Sequence, residues 1–280
     1  MKKILAVIVC LCLLCGCSVK VETDDNYTTS NQTQPSTDAT STTTPSVTQL
    51  SEFADLSTAK VIWGPGNIVD HQQPADPLSL NQTFSHLGGK WLLDDEKSVC
   101  LTFDEGYENG FTPSILDTLD EKNVKAIFFV TYDFAKDNPD LIDRMINEGH
   151  IVGNHTYRHY TMDEVDIKTA TDEVMLLHQY MLDKHKYTMS YFRFPKGEFS
   201  QQSLALVQSL GYESLFWSFA YADWDADNPT DPQQSLEHIC NSTHDGAIIL
   251  LHAVSPTNAE ILPQVIDNIQ SQGYTFSVKV

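Results

Sequence analysis

The sequence predicts an α/β fold: a mainly parallel sheet closed as a compact, irregular (β/α) barrel, preceded by a disordered tether. Three observations carry this. From Ser98 to the C-terminus, short apolar runs alternate with longer amphipathic stretches, about seven or eight such units. Proline after Thr, Asn or Asp marks helix starts, and glycine marks helix ends. Titratable side chains recur where the apolar runs stop, which is where α/β folds gather their chemistry.

The chain of 280 residues opens with Lys2-Lys3 and then a short apolar run to Cys17. That is the pattern of a secretory signal over residues 1–17, and the run is short for a membrane-spanning helix. Leu14-Cys-Gly-Cys17 resembles the lipobox of bacterial lipoproteins, which implies a lipid on Cys17 and a protein held outside the cytoplasmic membrane. Cleavage nearby, leaving a free secreted protein, is the alternative. Once Cys10, Cys12 and Cys15 leave with the signal, only Cys100 and Cys240 remain besides Cys17. A disulfide framework is therefore not expected, although one bridge between them stays open. Lys2 and Lys3 leave too, so the mature chain carries 15 basic against 38 acidic residues, a net charge of −23. Such a surface repels nucleic acid and anionic headgroups, so no nucleic-acid partner is expected.

Residues 18–51 are rich in Thr, Ser, Asn, Gln and Asp, cannot bury enough apolar surface to fold, and read as a disordered linker. Residues 52–96 are turn-rich at Trp63–Gly66 and Gln73–Pro77, with a candidate strand at Trp91-Leu-Leu. They read as a lead-in packed on the core. Residues 97–280 read as the main α/β domain. Its predicted strands are Ser98–Phe103, Val124–Thr131, His150–Gly153, Tyr191–Phe194, Tyr212–Ser218, Ala247–His252 and Tyr274–Val280. Helices start at Thr112-Pro113, Asn138-Pro139 and Asp231-Pro232. Others cover about 166–185, 200–210 and 258–270.

Asp104 and Glu105 stand side by side at the end of the first strand. Alone, they suit a solvated turn as well as a site. His155 and His159 follow a later strand, and on a helical turn their spacing puts both rings on one face, as a metal site needs. Two surface histidines are the plainer reading. Arg193 ends a strand and could grip a carboxylate by a two-pronged hydrogen bond, or simply form a surface ion pair. Trp217, Asp223 and Trp224 place aromatics near a carboxylate, which suits sugar rings, although Trp217 reads equally as core. His252 ends a fully apolar strand and is either structural or a general acid.

Taken in order, Thr102-Phe-Asp-Glu-Gly-Tyr-Glu-Asn-Gly110, Glu148-Gly-His-Ile-Val-Gly-Asn-His-Thr156, Arg193-Phe-Pro-Lys-Gly197, Trp217–Trp224 and Leu250-Leu-His252 resemble the NodB-type polysaccharide deacetylases, carbohydrate esterase family 4. The likeness covers about residues 97–280 and is nearest to the PdaA-like branch, which deacetylates N-acetylmuramic acid in peptidoglycan on the way to the muramic δ-lactam of spore cortex. The resemblance implies the NodB-type barrel, a divalent metal with zinc the expected ion, and peptidoglycan strands as partner. It also implies a place outside the cytoplasmic membrane facing a cell wall, with a Gram-positive source expected. Asp104 would be the general base and Arg193 its orienting partner. His252 would be the acid, its charge state set by Asp223. His155, His159 and Glu105 would be metal ligands, the N–H after Pro195 an oxyanion donor, and Leu250 a wall for the acetyl methyl. Trp224 and Lys196 would bind substrate.

Three positions depart from the family's usual pattern. Glu105 replaces an aspartate and moves its carboxylate about 1.5 Å, one carbon–carbon bond. Ala220 replaces another aspartate, and Lys196 an aromatic, bringing a cation for a lactyl or peptide carboxylate. Alternative functions are deacetylation of N-acetylglucosamine polymers or O-acetylated xylan, and a silent wall-binding lipoprotein. A pure binder has no need of both an acid and a base.

Overall fold

A computed structural model describes residues 53–280 apart from Ala54 and Glu96. The predicted signal, Cys17 and the linker over 18–51 lie outside the described residues. The lead-in carries more regular structure than its turn-rich composition predicts. Pro74 precedes a helix, α1 (Ala75–Phe84), which buries Pro77 and Phe84. A two-residue strand, β1 (Gly89–Lys90), follows. The strand expected at Trp91–Leu93 reduces to one bridge, Leu92 to Ala247. Trp91 is instead fully buried and stacks on Phe216, ring centroids 4.1 Å apart.

β2 (Ser98–Glu105) is buried along its whole length, as suits an apolar run covered on both faces. α2 (Thr112–Glu121) carries Pro113 in its first turn and turns Ile115, Leu116 and Leu119 inward. β3 (Ile127–Val130), α3 (Tyr132–Asp137), α4 (Pro139–Asn147) and β4 (Ile151–Asn154) come next. The short α3 was not legible in the apolar pattern. Its start is fixed by Thr131, whose hydroxyl accepts from the Phe134 N–H. α5 (Ile167–His185), β5 (Tyr191–Phe192), α6 (Gln201–Ser209) and β6 (Glu213–Leu215) follow. The chain closes with β7 (Phe219–Ala220), α7 (Pro232–Ser242), β8 (Ile248–His252), α8 (Pro256–Ser271) and β9 (Thr275–Phe276). β5 is shorter than its apolar run because Pro195 turns the chain away. Cys100 and Cys240 are both buried and unpaired.

Every ladder between strands is parallel, in the order β1-β6-β5-β4-β3-β2-β8-β7, with β9 joining β2 off this path. β6 and β7 are the two ends of one run, Glu213–Ala220. Its start pairs with β1 and β5, its end with β8. The run carries the sheet round on itself and makes the barrel irregular.

Side chains alternate along β2. Val99, Leu101 and Phe103 join the large core shared with Ile115, Leu116 and Leu119 of α2. Cys100 faces the barrel interior with Ile127, Phe129, Leu215 and Ile248. Thr102 and Asp104 continue that inward row to the C-terminal mouth. The interior is tight. A Cβ on Gly153, which pairs with Phe129, would lie 2.4 Å from that ring. Gly153→Ala is expected to destabilise the fold by about 1–3 kcal/mol, read as a lower urea midpoint. An unchanged midpoint would mean that the Phe129 ring has room to move.

Candidate active site

The barrel mouth holds a cavity of about 560 Å³ lined from several strand ends. Asp104 enters it from β2. Arg193, fully buried at the end of β5, donates from Nη1 to Asp104 Oδ1 at 3.3 Å. Its Nη2 donates to Thr102 Oγ1 at 3.0 Å and to the Phe216 carbonyl at 3.2 Å. The guanidinium also sits over the Phe129 ring, 4.3 Å from its centroid. The expected two-pronged grip on the carboxylate is thus divided, one prong on Asp104 and one on Thr102. Held on several sides, the arginine fixes the direction of Asp104.

His155 follows β4. Its Nδ1 lies 2.9 Å from the Arg193 carbonyl. A carbonyl only accepts, so Nδ1 carries the hydrogen and Nε2 keeps its lone pair. That Nε2 is 3.6 Å from Asp104 Oδ2. His159 reaches the same place by a different route from the helical turn its spacing predicts. The segment is not helical, and Thr156 and His159 take left-handed backbone angles, φ 72° and 60°. Asn154 Oδ1 accepts from Thr156 N at 2.9 Å, and Thr156 Oγ1 accepts from His159 N at 2.8 Å. These bonds bring the two rings to a centroid distance of 4.8 Å. Burial lowers the pKa of both, that of His155 to about 4, so both are neutral at pH 7.

His252 ends β8, the parallel neighbour of β2, in register with Asp104. Its Nδ1 is 2.7 Å from Asp223 Oδ1, and its backbone N–H donates to Asp223 Oδ2 at 2.8 Å. Asn258, on α8, donates to that same oxygen at 2.6 Å and accepts from the Tyr221 hydroxyl. Burial alone would lower the His252 pKa. The hydrogen bond and charge of Asp223 outweigh it and raise the pKa above 6.5. The mouth therefore sets a carboxylate beside two neutral imidazoles and, on the neighbouring strand end, an imidazole biased toward its charged form.

Residues 93–215 match the family model described as polysaccharide deacetylase. The peptidoglycan-N-acetylmuramic acid deacetylase PdaA of Bacillus subtilis (strain 168) is 40% identical over 216 residues, 76% of this chain and 82% of that protein. The chain belongs to the polysaccharide deacetylase family. It is accordingly a hydrolase of the N-deacetylase type. The solved structure of Bacillus subtilis PdaA, a family 4 carbohydrate esterase, matches with a TM-score of 0.75 at 38% identity, over 79% of this chain and 96% of that one. A family 4 carbohydrate esterase from Bacillus anthracis matches with a TM-score of 0.65 at 35% identity, over 79% and 95%. The peptidoglycan-N-acetylglucosamine deacetylase PgdA of Listeria monocytogenes is 32% identical over 180 residues, 64% of this chain and 37% of that protein.

In this polysaccharide deacetylase, Asp104, His155, His159, Lys196, Trp224, Leu250 and His252 all line the one cavity, with Arg193 beneath Asp104 and Asp223 behind His252. Glu105 does not join them. It is the next residue on a strand that is still laddered, paired with Val130, so alternation sends it to the opposite face from Asp104. There it is fully buried near Glu108 and Thr112, with neither oxygen in a hydrogen bond. Burial, with Glu108 and Asp104 nearby, holds its carboxyl well above the usual carboxylate range. Among the described residues no group of three His, Cys, Asp or Glu is arranged to hold a metal ion. Sequence reading missed Thr102, Asn154 and Asn258, which act as braces, and Tyr107, an exposed ring on the cavity lip. Tyr107 lies within the motif already singled out, three residues after Asp104, and an aromatic so close to a strand-end carboxylate was a usable signal.

Proposed function

We propose that this deacetylase removes the N-acetyl group of N-acetylmuramic acid in peptidoglycan strands. The observation that carries the reading is the pairing of two braced titratable groups on neighbouring strand ends of one cavity, Arg193–Asp104 beside Asp223–His252. Water must lose a proton to attack the acetyl carbonyl, and Asp104 is placed to take it. Arg193 keeps the carboxylate aimed. The methyl group lies against Leu250. As the C–N bond breaks and acetate leaves, the amine needs a proton, which the His252 imidazolium supplies. The N–H after Pro195 is the proposed donor to the developing oxyanion.

His155 and His159 fit a divalent cation. Their rings meet in the cavity, and the Arg193 carbonyl fixes the His155 tautomer that leaves Nε2 as a ligand. Zinc is the expected ion for two imidazoles, and when bound it would polarise the acetyl carbonyl. His155→Ala is expected to lower bound metal sharply while Glu105→Gln leaves it unchanged, measured as metal content by mass spectrometry. The reverse result would move the ligand role to Glu105.

Lys196 brings an ammonium to the same cavity, a partner for the lactyl carboxylate that distinguishes muramic acid from glucosamine. Deacetylation there is the step before muramic δ-lactam, so spore cortex is the proposed setting. Lipidation of Cys17 would hold the protein at the membrane beneath its substrate. Among the described residues no helix is long and apolar enough to cross a membrane.

The acid role has a pH signature. His252 is charged below its pKa, so turnover falls as pH rises through that value. Asp223→Asn keeps the hydrogen bond to the backbone but removes the charge that raised it. The alkaline limb of the kcat profile is expected to move to lower pH; an unmoved limb would assign it to another group.

A further inference from the structure

α5 buries one acidic side chain on the face it packs inward. Ala170, Val174, Leu177 and Met181 mark that face, and Glu173 lies among them with no exposed surface. A carboxylate is rarely buried so completely unless it is paired, and none of the chemistry above uses this one. Its partners are in the histidine loop. Glu173 Oε2 accepts from the Arg158 backbone N–H at 2.6 Å, and Oε1 accepts from Arg158 Nη1 at 3.0 Å. The next residue of α5, Val174, accepts at its carbonyl from the Asn154 side-chain amide at 2.9 Å. One turn of the helix thus holds the segment 154–158 at both ends.

The two histidines are secured in different ways. His155 is tied to the sheet: its backbone N–H donates to the Val130 carbonyl at 3.0 Å, and its ring Nδ1 to the Arg193 carbonyl. His159 has a left-handed backbone, and its N–H donates to Thr156 inside the same loop. Tyr157 is held by its ring, stacked on Tyr132 at 4.1 Å. Among the described residues, the bond from Arg158 N–H to Glu173 is the only hydrogen bond that ties the backbone of 157–159 to another element. The Arg158 guanidinium is half-exposed, so the ion pair itself adds little. The backbone bond ends on a carboxylate shut off from solvent and is charge-assisted, hence the stronger of the two. We propose that Glu173 is a positioning residue: through the Arg158 N–H it holds His159 beside His155, and so sets the affinity of the pair for a divalent cation. This rests on the reading of His155 and His159 as metal ligands.

The test uses the full chain and three variants, Glu173→Met, Glu173→Gln and Arg158→Ala. Zinc affinity is measured by competition with a chelating dye, and the histidine rings of the metal-free proteins are followed by NMR. Glu173→Met removes both bonds and is expected to weaken zinc binding about 10- to 100-fold, the range for losing a group that orients a ligand. Glu173→Gln has the same shape and keeps a neutral acceptor for the N–H, so a smaller loss of about fivefold is expected. Arg158→Ala keeps the backbone N–H and should bind zinc within about threefold of the parent. Without metal, the His159 ring signals are expected to move in Glu173→Met while those of His155 and His252 stay. Parental zinc affinity in Glu173→Met overturns the brace and leaves the ligand reading standing. Equal weakening by Arg158→Ala and Glu173→Met overturns the route through the backbone, and movement of all three rings together overturns a role specific to His159. If Glu173→Met does not fold, parental affinity in Glu173→Gln overturns the proposal by itself. A parent that binds no zinc overturns the ligand reading, and the proposal falls with it.

Discussion

Asp104→Asn is expected to lower turnover by about 10²- to 10⁴-fold, the range for loss of a general base. The asparagine oxygen still accepts from Arg193 Nη1, so the geometry of the mouth survives. The charge does not, and a guanidinium with no exposed surface is left without its counter-charge. Stability should fall as well, and turnover must be compared at a temperature where the variant is folded. Turnover at the parental level in a folded variant would remove Asp104 from the chemistry and leave it a structural strand end held by Arg193.

Arg193→Met should be the most damaging change to the fold. The methionine fills part of the volume but strands three acceptors: Asp104 Oδ1, Thr102 Oγ1 and the Phe216 carbonyl. Breaking a buried pair in this way costs roughly 3–5 kcal/mol, visible as a large drop in the denaturant midpoint. Arg193→Lys separates position from charge. It keeps a cation but cannot span Asp104 and Thr102 with a planar fork. With Asp104 no longer aimed, turnover is expected to fall about a hundredfold, the scale of a small misplacement of a catalytic group. Full turnover in the lysine variant would mean that charge alone suffices and that the fork serves only stability.

What the sequence made legible follows from local rules. The unbroken apolar run of Val99–Phe103, the proline at 113 and the histidine ending Ile248–Leu251 each report an element through side-chain periodicity or backbone restriction. Asp104, Arg193 and His252 could be brought to one mouth in advance because a strand tip is a defined place in a parallel sheet. Glu105 was misplaced although the rule that places it was available: adjacent residues on a strand face opposite ways, and two neighbouring carboxylates were read as one unit. The spacing brings the two histidine rings together, as the structure does, but on a mistaken backbone. Left-handed angles at Thr156 and His159 depend on hydrogen bonds to Asn154 and Thr156, which no spacing shows. Asn258 lies 35 residues from Asp223 in sequence, and only the folded barrel brings them together. The helix over Ala75–Phe84 was hidden by two prolines, Pro74 at its N-cap and Pro77 in its first turn, where proline is tolerated.

The central claim is the identity of the sugar that loses its acetyl group. The protein, supplied with zinc, would be incubated with peptidoglycan glycan strands, with and without stem peptides, and with N-acetylglucosamine oligomers, and the products sequenced by mass spectrometry. The account predicts acetyl loss at muramic acid, with Lys196→Ala reducing it more than Lys196→Arg. Acetyl loss at glucosamine alone would contradict it, leaving the Asp104–His252 chemistry in place but assigning the cavity to the other sugar of the strand.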